Sequence, residues 1–509
     1  MQKPPQLWSS LLTSISLKLM LFGCLLFVVT NEAQGVTFTI GSNFEGTDLT
    51  TAFGLSSGAI PPDTMGAVGP NHVVELINTS FAVYNKVGTL QSRVSLNNFW
   101  DTAFSNAGNP GFVPNATFDP RILYEANTNR WYAAAVDTRS SPNSRLLIGV
   151  TTGSDPSAAN WRAFEVDADT PGTRWADFPT MGINGDALYI SNNMFDNPGG
   201  IAESSTVTMV GVPLSSLTAG VPGISGFRIE QNIDPNRTGF SVQPVFDMDA
   251  GTGTHVAVSS FNGSFNKRTT IPSNWITGGS NIGPQVFPAD FAAQSVTAPG
   301  TADQPGASVN IHTGDRRFSG NVILQNGSLW GVQTVDNGGL AALRWYEFTD
   351  VAGQFTIKQT GLISDSSLDL YYPSIAVNDD GLVVIGFSGS DATTPVSTYV
   401  AVGETLASIT SFDPILLTHL GTGEYQRLDT SNRNRWGDYS STVLDPSDPD
   451  SFWTFQEYVD GNNNWAIRIT QINIGASETG VSIVPEPSTL SLVGLFCFMA
   501  TSIRRRRCC

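Results

Sequence analysis

Short runs of apolar residues, separated by turns rich in Gly, Asn and Asp, recur along the chain from about residue 60 to residue 475. Many of these runs alternate apolar and polar positions, which is the two-residue period of a half-buried strand. In three clear cases two such runs flank a tight turn: ILYEANTNRWYAAAV from Ile122, MGINGDALYIS from Met181 and SIAVNDDGLVVIGF from Ser374. The pattern predicts β-hairpins and an all-β fold.

A short opening phrase, with Asp or Tyr and then Pro or Ser, precedes many of these hairpins. Copies of the resulting unit start at Pro61, Phe118, Trp175, Ser241, Arg317, Leu370 and Trp436. Because no unit buries its faces alone, we predict a β-propeller of seven four-stranded blades, with six or eight blades as alternatives. A large β-sandwich is the other all-β architecture, but it does not require self-similar units. Residues 36–60 can add a strand that closes the ring.

The opening phrase is most similar in RWADFPT (174–180) and RWGDYSS (435–441). We interpret this repetition as architectural first. Each Trp is expected to pack between neighbouring blades. Each Asp is expected to accept hydrogen bonds from backbone amides or to pair with the nearby Arg.

Both ends of the chain differ from this body. Lys3 and Lys18 precede an apolar run (Leu19–Thr30), and this order is typical of a secretory signal peptide. We therefore divide the chain into a signal peptide (1–35), a propeller domain (36–484) and a C-terminal tail (485–509).

The tail has three parts in order: the motif Pro485, Glu486, Pro487; an apolar stretch from about Leu490 to Ile503; and the cations Arg504, Arg505, Arg506 and Arg507. A short apolar helix followed by cations acts as a stop-transfer element, so we predict a transient transmembrane helix here. The tail resembles the PEP-CTERM sorting signal of Gram-negative bacteria that produce exopolysaccharide. That resemblance implies recognition and cleavage by an exosortase, and delivery to the cell surface or extracellular matrix. Cys508 and Cys509 are not part of the usual signal.

Composition narrows the function classes. All four Cys lie in the two end segments, which excludes disulfides, Cys-ligated metals and thiol nucleophiles from the body. The net charge is −18, and removal of both ends leaves 20 cations and 42 anions. Such an acidic body is not expected to bind nucleic acid.

Acidic residues of the opening phrases are the main functional candidates. Asp119, Asp177 and Asp438 hold matching places, and if these strands are innermost, their carboxylates line one end of the central channel. Such a ring can bind Ca²⁺, which takes several oxygen ligands, or supply the acid/base pair of glycoside cleavage. The structural alternative is a repeated Asp that caps a turn.

Arginines lie beside the same phrases, and Arg121, Arg174 and Arg435 complete the predicted binding site. Residues Ser154–Trp161 (SDPSAANW) resemble a degenerate Asp-box turn of the sialidase-like propellers. That resemblance implies that an arginine cluster grips a carboxylate sugar and that Tyr371 or Tyr372 acts as nucleophile. No Glu partner is identifiable near either tyrosine, and packing between blades is the more economical interpretation of both.

The sequence therefore predicts an exported surface or matrix propeller that binds exopolysaccharide or a matrix protein without catalysis. The alternative is a carbohydrate-active enzyme similar to the sialidase-type propellers. The non-catalytic interpretation assigns no catalytic residue. Ca²⁺ is the one candidate cofactor.

Overall fold

The computed structural model describes residues 36–56, 60–141, 143–196, 205–259, 267–286, 296–306, 308–351 and 354–475. The predicted signal peptide and sorting tail lie outside these ranges. Within them, no helix is long and apolar enough to span a membrane.

Strands dominate the described chain. The first nine are β1 (Phe38–Asp48), β2 (Gly66–Val68), β3 (His72–Ile77), β4 (Ser80–Asn85), β5 (Leu90–Ser95), β6 (Phe118–Glu125), β7 (Arg130–Asp137), β8 (Arg145–Thr151) and β9 (Trp161–Asp167). The next ten are β10 (Arg174–Ile183), β11 (Ala187–Asp196), β12 (Thr206–Pro213), β13 (Arg228–Ile233), β14 (Gln243–Pro244), β15 (Phe246–Asp247), β16 (His255–Ser259), β17 (Lys267–Ile271), β18 (Gln285–Val286) and β19 (Ile311–His312).

The remaining strands are β20 (Ile323–Gln325), β21 (Ser328–Asn337), β22 (Leu340–Val351), β23 (Gln354–Ile363), β24 (Asp369–Val377), β25 (Leu382–Ser390), β26 (Ser397–Leu406), β27 (Ile409–Phe412), β28 (Leu416–His419), β29 (Asn434–Arg435), β30 (Ser441–Asp445), β31 (Asp448–Val459) and β32 (Trp465–Ile474). Four short helices are α1 (Leu49–Leu55), α2 (Leu96–Asn106), α3 (Leu214–Leu217) and α4 (Pro235–Thr238).

The strands form an all-β propeller, as the sequence predicts. The separate sheets are β2-β3-β4-β5, β6-β7-β8-β9, β14-β16-β17-β18, β24-β25-β26-β27 with β28 on β26, and β1-β32-β31-β30. Innermost strands of successive sheets contact one another around the axis, as β2 contacts both β6 and β30. Strand β1 pairs with β32, so the start of the body completes the last sheet and confirms the expected closure.

The number of separate blades differs from the prediction of seven. Five sheets of four or five strands stand alone among the described residues, whereas β10–β13 and β20–β23 belong to one nine-stranded sheet. The link is β15, a two-residue strand that pairs in parallel with both β10 and β20. This pairing joins residues far apart in sequence, so a local hydrophobic pattern does not reveal it.

Local turn chemistry explains the hairpins. Between β24 and β25 the Asn378 side chain accepts the N–H groups of Asp380 and Leu382, at 3.1 and 2.8 Å. Gly381 takes φ 82°, which glycine adopts at no steric cost. The hairpins β6–β7, β10–β11 and β24–β25 confirm the three predicted from the sequence.

The core lies between sheets rather than within them. Trp436 is 1% exposed and packs in a cluster with Tyr425 and Phe455, which confirms the expected packing of this Trp between sheets. Trp175 is half-buried instead, with its ring 5.5 Å from that of Phe195. The two copies of the opening phrase therefore differ at the tryptophan.

Candidate functional site

A polar pocket of about 290 Å³ lies where the innermost strands begin. Its charged and polar lining includes three acids, four arginines, a histidine and a tyrosine: Asp177, Asp315, Asp438, Arg139, Arg317, Arg433, Arg435, His312 and Tyr372. Three phenylalanines, Phe178, Phe195 and Phe240, complete one wall. Two of the three acids that the sequence predicts at one end of the channel, Asp177 and Asp438, are in this lining.

The opening phrase builds the pocket because it interrupts the strand. Asp119, Phe178, Ser241 and Tyr372 all take left-handed φ values of 48–51°. The β10–β11 ladder shifts register between Asp177 and Thr180, so the side chains at the turn leave the sheet alternation. Asp177, Phe178 and Tyr372 line the polar pocket.

The same register corrects the alignment of the acids. The β6–β7 ladder shifts between Phe118 and Arg121, and the β10–β11 ladder shifts between Asp177 and Thr180. Asp119 therefore corresponds to Phe178, not to Asp177. The turns contain the same number of residues, but the sequence alone does not show which residue is left-handed.

Asp119 does not line the pocket but ties three blades together. Its Oδ2 accepts the N–H of Phe178 at 2.9 Å, and its own N–H donates to Asn78 Oδ1 at 2.7 Å. Asn78 Nδ2 in turn donates to Asp63 Oδ2 at 2.6 Å. Burial and the nearby charge of Asp438 raise the pKa of Asp63 well above its usual range, and the pKa of Asp119 is raised by the same two causes. The protonated form of Asp63 is therefore favoured beside Asp119.

Arg121 fills the axis behind the pocket. It is 1% exposed, and it donates from Nε to the Pro179 carbonyl at 2.7 Å and from Nη1 to the Ser319 carbonyl at 2.9 Å. Its guanidinium carbon lies 3.6 Å from the ring centre of Tyr439 and 5.0 Å from that of Phe178. The structure thus places Arg121 as a tie between blades.

Arg174 also lies outside the pocket lining. Its Nε is 3.2 Å from Asp196 Oδ1, and its Nη1 donates to Asn232 Oδ1 at 2.6 Å. Of the six predicted binding residues, the pocket therefore brings together Asp177, Asp438 and Arg435.

Two long connections supply most of the remaining charges. The connection before β20 carries His312, Asp315 and Arg317, and the connection before β30 carries Arg433 and Arg435. Strands β19 and β29 pair in parallel and hold these connections side by side. Arg317 starts one of the repeated units, whereas Asp315 and Arg433 were not predicted, because no periodic signal marks these irregular segments.

The two pocket acids that the sequence predicts have different surroundings. Burial raises the pKa of Asp177 well above its usual range, and the charges of Asp119 and Asp438 add to that effect. Asp438 instead accepts a hydrogen bond from Arg435 Nη2 at 2.6 Å and remains 29% exposed. Burial therefore favours the protonated form of Asp177, beside a carboxylate that is paired with a cation.

Arg317 has a fixed position in the pocket. Its Nε and Nη2 donate to Asp315 at 2.9 and 2.6 Å, and its guanidinium lies 4.6 Å from the Phe178 ring centre. Burial acts to raise the pKa of Asp315, but the Arg317 guanidinium outweighs it and lowers that pKa. Phe178 is consequently stacked between Arg121 and Arg317.

Tyr372 and His312 are both neutral. Burial, with the charge of Asp438, raises the pKa of Tyr372 well above its usual range, and its hydroxyl donates to the His312 carbonyl at 3.1 Å. Burial and the charges of Arg435 and Arg433 lower the pKa of His312. Tyr371 lies outside the pocket lining, with its hydroxyl 2.8 Å from Ser390 Oγ.

The degenerate Asp box has a structural role at the β8–β9 turn. Asp155 Oδ1 accepts the N–H of Ser157 at 2.9 Å, and the buried Trp161 donates from Nε1 to the Pro156 carbonyl at 2.9 Å. Trp131 donates to the Ser154 carbonyl at 2.8 Å. The turn lies outside the polar pocket.

The part of the chain that the structure describes contains no assembled set of metal ligands. No group of three or more His, Cys, Asp or Glu side chains there is placed to hold a metal ion. The three acids of the predicted ring do not lie together, because Asp119 accepts a backbone N–H while Asp177 and Asp438 line the pocket. A Ca²⁺ site therefore stays a prediction from sequence.

Comparison with known proteins gives distant likenesses. No family model matches the chain, and no curated protein matches it. A Trypanosoma rangeli sialidase is 12% identical, with a TM-score of 0.32 over 86% of this chain and 61% of that one. A Penicillium chrysogenum α-L-arabinanase is 11% identical, with a TM-score of 0.38 over 70% and 93%. The Nup133 β-propeller domain of Vanderwaltozyma polyspora is 10% identical, with a TM-score of 0.40 over 86% and 100%. No functional conclusion follows from likenesses at this level.

Proposed function

We propose that the polar pocket binds an anionic polysaccharide and hydrolyses its glycosidic bonds, with Asp177 as the general acid. The observation that carries this proposal is the difference between two acids in one pocket, because burial favours the protonated form of Asp177 while Asp438 is ion-paired with Arg435. Glycoside hydrolases use one carboxylic acid and one carboxylate in this way. The predicted non-catalytic role thus becomes the second candidate.

In the proposed step, the Asp177 proton goes to the glycosidic oxygen as its bond to the anomeric carbon breaks. Water supplies the hydroxyl group that the anomeric carbon receives. Asp438 either takes a proton from that water or first bonds to the carbon. The stereochemistry of the released sugar distinguishes these two roles.

An anionic substrate fits the charge of the pocket. Four arginines and three acids line the pocket, so its cations outnumber its acids in a chain whose net charge is −18. Arg139 is exposed at the rim, with its guanidinium 5.4 Å from the Trp175 ring centre. Guanidinium groups bind sugar carboxylates in a bidentate manner, so a uronic acid polymer is the favoured class.

Tyrosine catalysis has less support. A nucleophilic tyrosine must lose its proton, whereas burial raises the pKa of Tyr372 and its hydroxyl is engaged with the His312 carbonyl. We therefore assign the chemistry to the two acids.

Non-catalytic binding is favoured by a different observation. Arg317 and Arg435 are already paired with Asp315 and Asp438, which is the arrangement of a rigid recognition surface. In this second candidate, exopolysaccharide or a matrix protein binds and is not cleaved. For both candidate functions we also propose the location predicted from the tail, which is the cell surface or matrix after sorting by an exosortase.

The blade number bears on the symmetry of the site. We further propose that β10–β13 and β20–β23 act as two blades despite their link through β15. Each is a complete antiparallel four-strand meander. The chain enters each from the polar pocket, which Asp177 lines for the first meander and Arg317 and Ser319 line for the second. Seven units would then surround the axis.

The test is cleavage and binding of polygalacturonate, alginate and the neutral polymer dextran by the purified chain. New reducing ends from the acidic polymers alone, abolished in Asp177→Asn and Asp438→Asn while binding persists, would support the enzyme. The matched control is Asp448→Asn, an exposed acid at the other end of the propeller. Binding without cleavage selects the second candidate, and absence of binding to either acidic polymer overturns both.

A further inference from the structure

A second pocket lies at the opposite ends of the innermost strands and is lined mainly by apolar side chains. Its volume is about 220 Å³. The lining includes Val68, Leu123, Met248, Ile323, Ala376 and Leu444, each from or next to a different innermost strand. A dry cavity of about 150 Å³ holds a benzene-sized molecule, so this apolar pocket has room for one or two aliphatic side chains.

The acids at the rim of the apolar pocket are already engaged. Glu125 accepts the N–H groups of Asn127 and Thr128, at 2.9 and 2.6 Å. Asp445 accepts from Lys86 Nζ at 2.7 Å and from Trp453 Nε1 at 3.1 Å. The rim therefore offers little to a charged ligand, and the occupant that fits is an apolar group.

The described chain ends at this end of the propeller. Leu444 faces Phe452 across β30 and β31, and Phe452 faces Ile472 across β31 and β32. Since neighbouring strands are about 4.8 Å apart, Ile472 is about 10 Å from Leu444. Ile474 packs in one cluster with Leu444 and Ala376, two residues of the pocket lining.

We propose that the apolar pocket is the docking site of this chain's own segment 481–484, Val-Ser-Ile-Val. Val481 is six residue steps beyond Gly475, and an extended chain of that length spans about 20 Å, which exceeds the distance across two strands. Val481 and Ile483 lie on one side of an extended segment, so both can enter the pocket. A tethered segment also has a millimolar effective concentration, which favours it over a free apolar molecule.

Docking fixes where the predicted sorting motif sits. Pro485 follows the segment directly, so the motif is held at the end of the propeller away from the polar pocket. The polar pocket then faces away from the membrane while the tail is inserted. This inference does not rest on the proposed function.

The first test is disulfide formation in the full chain, in detergent, with Cys24, Cys497, Cys508 and Cys509 replaced by serine. Met248→Cys with Ile483→Cys pairs the half-buried pocket wall with the segment. The control is Phe53→Cys with Ile483→Cys, because α1 follows the end of β1 at the polar-pocket end. We expect the first pair to form its disulfide at least ten times faster, and equal rates would overturn the proposal.

The second test measures maleimide labelling of Met248→Cys in the same serine background. Val481→Asp with Ile483→Asp should expose the pocket and speed labelling about tenfold. Ser477→Asp with Thr479→Asp adds the same charge outside the docking segment and should leave the rate unchanged. If Met248→Cys reacts equally fast in all three chains, the pocket is open and the segment does not occupy it.

Discussion

Replacement of Arg121 by alanine should destabilise the propeller more than any change at its surface. Its two hydrogen bonds reach carbonyls of two other opening phrases, and Tyr439 covers its guanidinium at 3.6 Å. Hydrogen bonds from a charged group contribute about 1.5–3 kcal/mol each. Loss of a partner in a buried charged set costs about 3–5 kcal/mol, because the groups left behind are unpaired. We expect a loss of about 4 kcal/mol for Arg121→Ala.

The assay is urea unfolding followed by tryptophan fluorescence, since seven tryptophans are among the largest fully buried side chains. Arg174→Ala is the control, because its ion pair with Asp196 is partly exposed and such pairs contribute about 1 kcal/mol or less. Arg121→Met tests the role of charge, since it fills the space without donors. A cost below about 1 kcal/mol for Arg121→Ala would refute the conclusion that this arginine ties the blades.

Three further predictions concern buried groups. Because burial raises the pKa of Asp63, this residue makes the protein less stable as the pH rises above the usual carboxyl range. Asp63→Asn should therefore raise the melting temperature more at pH 8 than at pH 4. An equal effect at both pH values would contradict this. Burial lowers the pKa of His255 to about 4, so the free energy of unfolding should fall by up to about 3 kcal/mol as the pH drops from about 6.5 to 4. His255→Gln should reduce this pH dependence of stability, as measured by thermal unfolding. Asp119→Ala should cost about 1–3 kcal/mol by leaving the Phe178 N–H unpaired, whereas Asp119→Asn, which keeps an acceptor, should cost less.

Features encoded by neighbouring residues were predictable. The turn at Asn378–Gly381 carries its own capping side chain and a glycine at φ 82°, so the hairpin around it follows from the local sequence. Closure by β1 on β32 joins residues far apart in sequence, so it was predicted from the ring architecture and not from a local pattern. The parallel link through β15 is not local, because Phe246 joins Ile183 to Ile323, and the blade count therefore differed.

The candidate site was predictable only in part, for a related reason. Asp177 and Asp438 belong to a repeated phrase, and both line the pocket. Asp315 and Arg433 lie in irregular connections that the β19–β29 pair brings together from distant parts of the chain. The sequence alignment matched Asp119 to Asp177 instead of Phe178, because the sequence does not show which residue of a bulge is left-handed.

The two copies of the opening phrase explain how one turn serves both structure and site. Phe178 and Tyr439 occupy the same place in RWADFPT and RWGDYSS, and both rings lie against the Arg121 guanidinium. The residue before each ring, Asp177 or Asp438, lines the pocket as a consequence of the same geometry. At the start of the phrase the copies diverge, because Arg435 pairs with Asp438 while Arg174 pairs with Asp196. Asp438 is therefore ion-paired, whereas Asp177 has no such arginine partner from its own phrase and burial raises its pKa. The asymmetry on which the proposed chemistry depends thus arises from a difference of partner within a repeated turn.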